Sequence, residues 1–120
     1  KFKKAKIRTS LFINPNIKDI MISKELNVDC VEIHTGKISN LVKLNKNYGN
    51  ELNRIKKSSI LATKLNIEVH AGHGLDYKTT KIISNIKEIQ EFNIGHFIIG
   101  ESIFFGLKKV INNFKKIIKD

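Results

Sequence analysis

Two histidines beside glycines are the residues in this sequence best suited to chemistry. Residues 68–75 read as an alternating strand that runs into Gly72-His73-Gly74, and Asn93-Ile94-Gly95-His96 repeats the device at a second predicted strand end. Glycine permits sharp turns and the close approach of a ligand, and an imidazole exchanges protons near neutral pH. We therefore expect His73 and His96 to share one active site, with His73 as its acid–base group. The alternative for His73 is a histidine that only hydrogen-bonds a neighbouring loop.

Four strand–helix units, with no linker between them, can be read along the chain as the frame for these groups. The predicted strands cover residues 9–13, 29–35, 67–71 and 91–95. Strands that alternate with helices imply a parallel sheet and an α/β fold in a single domain over residues 1–120.

Helix signals follow each predicted strand. Asn14 is expected to cap the first helix, with Pro15 at its first position, and Asp76 to cap a helix over residues 77–83. Residues 51–65 are predicted to be helical after a polar loop over residues 36–50. The last helical region is residues 96–120, with a break near Gly100 or Gly106.

The strand interiors favour one kind of parallel sheet. Val31 and Ile33 alternate with Glu32 and His34, and the third strand alternates in the same way. A doubly wound sheet would bury both faces under helices, which makes carboxylates and imidazoles costly on either one. Units of about 30 residues also match a (β/α)8 barrel, which spends roughly 250 residues on eight. We expect half a TIM barrel; a small open α/β sheet is the rival.

In a barrel, the active site lies at the carboxyl ends of the strands. Gly95 and His96 would present free backbone N–H groups at a helix start, where the helix dipole favours a phosphate. The alternative for Gly95 is a plain tight turn. Glu32 would face the lumen and stabilise a developing cation or orient a histidine, unless it forms only a structural ion pair.

Metal and nucleotide sites find little support in the sequence. His70 and His73 are three residues apart, a spacing that points them to opposite faces of a strand, and there is no cysteine cluster. Neither a Walker-type loop nor a Rossmann fingerprint is present. We expect neither a metal nor a cofactor.

The composition of the chain argues against several other classes of protein. The net charge is +11, but the lysines are scattered and fall mostly on the polar faces of predicted helices, which is typical of a solvated basic surface. A nucleic-acid binder is supported by charge alone, since aromatic platforms are missing. Cys30 is the only cysteine and is interpreted as a small buried hydrophobe. With no apolar run of about 20 residues and no visible signal peptide, we expect a cytoplasmic protein without membrane contact.

Four motifs in their order along the chain resemble the C-terminal half of the pyridoxine 5′-phosphate synthase family. They are Ser10-Leu11-Phe12-Ile13, Val31-Glu32-Ile33-His34-Thr35-Gly36, Ala71-Gly72-His73-Gly74-Leu75 and Phe92-Asn93-Ile94-Gly95-His96-Phe97-Ile98-Ile99-Gly100. The resemblance implies a (β/α)8 barrel that assembles into an octamer. It also implies the condensation of 1-deoxy-D-xylulose 5-phosphate with 3-amino-2-oxopropyl phosphate to pyridoxine 5′-phosphate, phosphate and water.

The resemblance also implies roles for individual residues. His73 matches the proton donor, Glu32 the residue that stabilises the transition state, and Gly74 with Gly95 and His96 the contacts to the aminooxopropyl phosphate. His70 stands where the family usually has Asn, and Glu101 where it has Arg. The family's other catalytic residues come from the first half of the barrel. We therefore expect a fragment that is inactive alone and that pairs with the missing half or with another copy. The alternative is a non-catalytic, phosphate-binding half-barrel that self-associates.

Overall fold

The structure, a computed structural model, describes residues 2–119 and consists of one parallel sheet with helices packed on it. The strands are β1 (Ser10–Ile13), β2 (Cys30–His34), β3 (Glu68–Gly72) and β4 (Ile89–Asn93). The helices are α1 (Ile17–Glu25), α2 (Gly36–Lys43), α3 (Gly49–Lys64), α4 (Tyr77–Ile83), α5 (His96–Phe105) and α6 (Leu107–Lys119), and a short 3-10 helix covers Lys3–Ala5. The α/β class predicted from the sequence is confirmed. No helix in the described part of the chain is long and apolar enough to cross a membrane.

The sheet has one apolar and one polar face, as the alternation predicted. Val31, Ile33, Val69 and Ala71 point to the helices and are fully buried in one core cluster. Each such side chain contributes about 1.5–3 kcal/mol through its removal from water. The residues between them in β2 and β3, among them Glu32, lie on the opposite face.

The strands pair in the order β1-β2-β3-β4, and every pair is parallel. Each crossover therefore moves one strand along the sheet in the same direction. Because such crossovers are almost always right-handed, successive helices are brought to the same face. The core agrees with this rule, since Ile20 of α1, Ile55 of α3 and Ile83 of α4 pack in a single cluster.

The helix caps were predicted correctly at one of two positions. Asp76 caps α4, and its carboxylate accepts a hydrogen bond from the Thr79 N–H at 2.7 Å. The prediction for Asn14 was wrong, because Asn16 caps α1. The Asn16 side chain accepts a hydrogen bond from the Asp19 N–H at 2.8 Å, which satisfies one free donor of the helix start, and its amide donates to the Asp19 carboxylate at 2.8 Å.

The predicted loop over residues 36–50 is mostly helical. The prediction was wrong because α2 occupies Gly36–Lys43 and α3 already begins at Gly49. Ile38 and Val42 are one helical turn apart and are both buried, which anchors α2 on the core. The buried Glu51 carboxylate of α3 then ties the two helices together through Lys37 of α2 at 3.1 Å, and it also pairs with Arg54 of its own helix at 2.8 Å.

The C-terminal part differs from the prediction in its boundaries. β4 begins at Ile89 and ends at Asn93, two residues earlier than predicted, and its register with β3 shifts between Val69 and His70. The helical region is broken at Gly106, which has a φ of 78°, whereas Gly100 lies inside α5. Asp120 lies outside the described residues.

Cys30 and the lysines lie where the sequence predicted. Cys30 is buried in β2, with its Sγ 3.6 Å from the Thr9 carbonyl oxygen. Every lysine whose side chain the structure describes is exposed. The basic charge is therefore spread over the solvated surface.

Candidate active site

His73 stands immediately after β3 in a conformation that few residues adopt. Its φ is 80°, in the left-handed region, and the following Gly74 has a φ of 73°. This conformation costs a residue with a Cβ about 1–2 kcal/mol. The turn lifts the imidazole off the end of the strand, where it is exposed. Gly74 is fitted closely, since a Cβ there would lie 3.3 Å from the Cβ of Ser39.

His73 and Gly74 form a wall shared by two cavities. One cavity, of about 590 Å³, lies beside α2 and has Lys37, Lys43 and Lys46 in its lining. The other, of about 560 Å³, extends from His73 to Gly95 and His96. Lys43 and Asp76 also line both. The sequence-predicted residues His73, Gly74, Gly95 and His96 are thus brought to one cavity.

The start of α5 forms the far side of the second cavity. Gly95 precedes the helix and makes no side-chain cap, and His96 is its first residue. Both residues are exposed, and a Cβ at Gly95 would meet nothing within 4 Å. The first backbone N–H groups of a helix lack intrahelical partners. At α5 they open onto a cavity beside a lysine, which suits an anion.

Glu32 lies on the polar face of the sheet and is held by β4. Its Oε2 accepts a hydrogen bond of 2.7 Å from the side-chain amide of Asn93, which lines the second cavity. Gly72 makes room for the other oxygen, because a Cβ at that position would fall 1.9 Å from Glu32 Oε1. The carboxylate is therefore fixed beside the site by residues from β3 and β4.

His34 stacks on His73. The two imidazole rings are 4.6 Å apart at an interplanar angle of 25°, and Phe12 lies 5.1 Å from the His34 ring. The Nδ1 of His34 accepts a hydrogen bond of 3.2 Å from the Gly36 N–H, which fixes the orientation of the ring. The sequence had left the role of His34 open.

A second polar cluster occupies the amino-terminal part of the same face. Glu68 is paired with Arg8 at 2.5 Å and with His70 Nε2 at 2.8 Å, and His70 Nδ1 lies 3.7 Å from Glu91. The hydrogen bond from Arg8, with a second from His70, lowers the pKa of Glu68 to about 2. His70 thus belongs to an ion-pair cluster and does not join His73. Among residues 2–119, no three His, Cys, Asp or Glu side chains are placed to hold a metal ion.

Asn93, Gly72 and Thr35 also belong to the site, although the sequence patterns gave none of them a role of its own. A glycine inside a strand often marks close approach by another group, and this signal pointed to Gly72. The contacts of Asn93 and Thr35 cross 61 and 37 residues respectively. They depend on strand neighbours and register, which the alternation pattern does not specify.

The assembled groups can bind an anion and exchange a proton beside it. The α5 start and the lysines favour a phosphorylated compound. An exposed imidazole at the cavity wall can donate or accept a proton. A carboxylate nearby favours positive charge developing on the bound compound.

Comparison with known proteins identifies related sequences. The sequence model of the family described as "Pyridoxal phosphate biosynthesis protein PdxJ" matches residues 1–120. A pyridoxine 5′-phosphate synthase from Pelagibacter ubique is 72% identical over 116 residues, which cover 97% of this chain and 48% of the relative. The synthase from Zymomonas mobilis is 47% identical over 114 residues, or 95% of this chain and 44% of the relative.

These matches also define the extent of the similarity. The chain spans about half the length of the curated relatives it matches. The family match covers every strand and helix described above. The chain therefore belongs to the PdxJ family of pyridoxal phosphate biosynthesis proteins.

Proposed function

We propose that this chain forms the C-terminal half of a (β/α)8 barrel that synthesises pyridoxine 5′-phosphate in the cytoplasm. The substrates are 1-deoxy-D-xylulose 5-phosphate and 3-amino-2-oxopropyl phosphate, and the reaction needs no metal or organic cofactor. One observation carries the proposal: His73, Gly74, Gly95 and His96 line one cavity at the carboxyl ends of parallel strands. That position is where barrel enzymes place their active sites.

The arrangement of the sheet supports half a barrel. Strands in sequential order with helices on one face are the pattern of a barrel wall, whereas a doubly wound sheet is covered on both faces. Within the described residues, β1 and β4 each pair on one side only. Barrel closure removes such open edges. The N-terminal half of such a barrel, which would supply the other catalytic residues, is the expected partner, and an octamer of whole barrels is the expected assembly.

Each site residue has a proposed task in this reaction. The N–H groups of Gly95 and His96 hold the phosphate of 3-amino-2-oxopropyl phosphate, and Gly74 contacts the same substrate. His73 donates a proton to a leaving oxygen. Glu32, oriented by Asn93 at 2.7 Å, stabilises positive charge that develops on the substrate nitrogen during condensation.

A non-catalytic, self-associating half-barrel is the second candidate function. The observation that favours it is an apolar surface on α5, where Ile103 is 78% and Phe104 80% exposed. Isolated apolar residues on a surface are ordinary, but a contiguous group marks a contact region. Self-association through this surface would cover the apolar residues without any contribution from an N-terminal half-barrel.

A hybrid enzyme tests the catalytic proposal. In it, residues 1–120 of this chain replace the matching segment of the Pelagibacter ubique relative, which is 72% identical. We expect the hybrid to form pyridoxine 5′-phosphate, and the isolated 120-residue chain to form none. His73→Ala and Glu32→Gln should each lower kcat by about 100-fold or more.

A matched control is His70→Asn, since His70 is buried in the ion-pair cluster and not in the cavity. It should retain turnover. Full turnover in His73→Ala would refute the assignment of the proton donor. A hybrid that folds, binds phosphate and makes no product would favour the non-catalytic candidate, with light scattering on the isolated chain showing whether copies associate.

A further inference from the structure

His73 needs support, because its backbone is in a conformation that it would not hold alone. With a φ of 80°, it lies in a region that side chains other than glycine seldom occupy. Relaxation to an extended conformation would turn the imidazole away from the cavity wall. The contacts that oppose this relaxation come from the end of β2.

The hydroxyl of Thr35 contacts the carbonyl groups on both sides of His73. Its Oγ1 lies 2.7 Å from the Gly72 oxygen and 2.8 Å from the His73 oxygen, so one hydrogen is shared between two acceptors. In an extended chain, successive carbonyl groups point in opposite directions. One hydroxyl can reach both oxygens only when His73 is not extended. The two contacts can therefore form together only when His73 keeps its non-extended backbone conformation.

The Thr35 hydroxyl does not make the helix-capping hydrogen bond that its position in the sequence would predict. Thr35 occupies the N-cap position of α2, where a threonine side chain normally accepts a hydrogen bond from the helix. It makes no such bond here. Thr35 is fully buried, and its backbone N–H also donates to the Gly72 oxygen at 2.8 Å. The Thr35 side chain thus hydrogen-bonds the end of β3 and leaves the start of α2 without a side-chain cap.

The residues beside Thr35 place the imidazole ring. His34 stacks on His73 at 4.6 Å and is itself fixed by the Gly36 N–H. Gly36 is tightly fitted, since a Cβ there would lie 2.6 Å from Cε1 of His34 and 2.8 Å from Cδ2 of His73. Both clashes are with ring atoms and not with the backbone.

We propose that His34, Thr35 and Gly36 are positioning residues for His73: Thr35 holds its backbone, and the His34–Gly36 pair holds its ring. The inference rests on the proposed function, in which His73 is the proton donor. It deepens that function by naming the groups that keep the donor at the cavity wall. A displacement of about 1 Å at such a group can cost on the order of 100-fold in rate.

The test uses Thr35→Val and Thr35→Ser in the hybrid enzyme. Valine keeps the shape of threonine without its hydroxyl, and serine keeps the hydroxyl. We expect Thr35→Val to lower kcat about 10- to 100-fold with a much smaller effect on KM for 3-amino-2-oxopropyl phosphate, because the α5 start that holds its phosphate is untouched. Thr35→Ser should restore kcat. The ¹³C chemical shifts of residue 73 should lose their left-handed values in the valine variant and keep them in the serine variant.

Gly36→Ala covers the case in which Thr35→Val does not fold. Alanine favours the helix that begins there, so thermal stability should hold while the displaced rings lower kcat. In a His73→Ala background, neither Thr35→Val nor Gly36→Ala should lower kcat further.

The outcomes separate the two claims. If His73→Ala lowers turnover while Thr35→Val does not, or if Thr35→Ser is as impaired as Thr35→Val, the positioning role is overturned and the catalytic assignment stands. An unchanged kcat in Gly36→Ala removes the role of the ring stack. If His73→Ala is itself fully active, the assignment of the donor and the positioning role fail together.

Discussion

Gly72 is predicted to control activity through the carboxylate of Glu32, although it carries no side chain. In Gly72→Ala, the new Cβ would fall 1.9 Å from Oε1 and 2.7 Å from Cδ of Glu32, and 3.2 Å from Cβ of Asn93. Since real Cβ atoms stay at least 3.0 Å from such neighbours, the carboxylate must withdraw by about 1 Å or more. Gly72 does not have a positive φ, so the backbone itself accepts alanine.

The expected effects on stability and on activity differ greatly in size. Withdrawal of the carboxylate breaks its 2.7 Å hydrogen bond from Asn93. A hydrogen bond to a charged group contributes about 1.5–3 kcal/mol, but Glu32 is partly exposed and water can replace part of it. Alanine in a strand also gains about 0.5 kcal/mol over glycine. The net loss of stability should be about 1 kcal/mol. Loss of a well-placed charge at the site should lower kcat about 100- to 1,000-fold.

The assay is steady-state turnover of the hybrid enzyme, with urea unfolding measured on the same samples. Gly100→Ala is the matched control, because a Cβ at that exposed position in α5 meets nothing within 4 Å. It should keep its activity and be slightly more stable. In a Glu32→Gln background, Gly72→Ala should cost little further activity. Normal turnover in Gly72→Ala would refute the reasoning, as would a loss of stability large enough to explain the lost activity.

Two further predictions concern stability. Because Arg8 lowers the pKa of Glu68 from 4.5 to about 2 in the folded state, the carboxylate stabilises the fold above pH 4.5, and this contribution is lost as the pH falls towards 2. The difference in free energy of unfolding between the parent and Glu68→Gln should therefore shrink across that window, and a difference independent of pH would contradict it. Asn16→Ala should cost about 1 kcal/mol in urea unfolding, with Asn14→Ala as the milder control; equal losses would mean that Asn16 is not the effective cap.

Local patterns in the sequence predicted the features that depend on local physics. The alternation of Val31 and Ile33 with Glu32 placed the carboxylate on the correct face of the sheet. Asp76 was predicted correctly as a cap because its side chain acts within three residues. The α2 helix was missed, although the burial of Ile38 and Val42 follows an ordinary helical spacing. The surrounding Lys and Asn residues gave the segment the composition of a loop.

The contacts that complete the site could not be predicted from single segments of the sequence. The bond from Asn93 to Glu32 and the stack of His34 on His73 each join different strands. Their formation depends on the register of β2, β3 and β4, and β4 itself begins two residues earlier than its pattern suggested. The left-handed φ of His73 could not be predicted from the sequence either, because it is held by the Thr35 hydroxyl, which is 38 residues away.

Cys30 gives the chain a built-in reporter of how its first strand opens. It is the only cysteine in the sequence, and its thiol is shielded next to Thr9, just before β1. Because Cys30 is only 3% exposed, a thiol reagent can reach the sulfur only when the structure around the start of β1 and β2 opens. The labelling rate then measures the opening of this edge, with no engineered probe. A slower labelling rate in the presence of the other half of the protein would show that this half pairs with the open edge at β1.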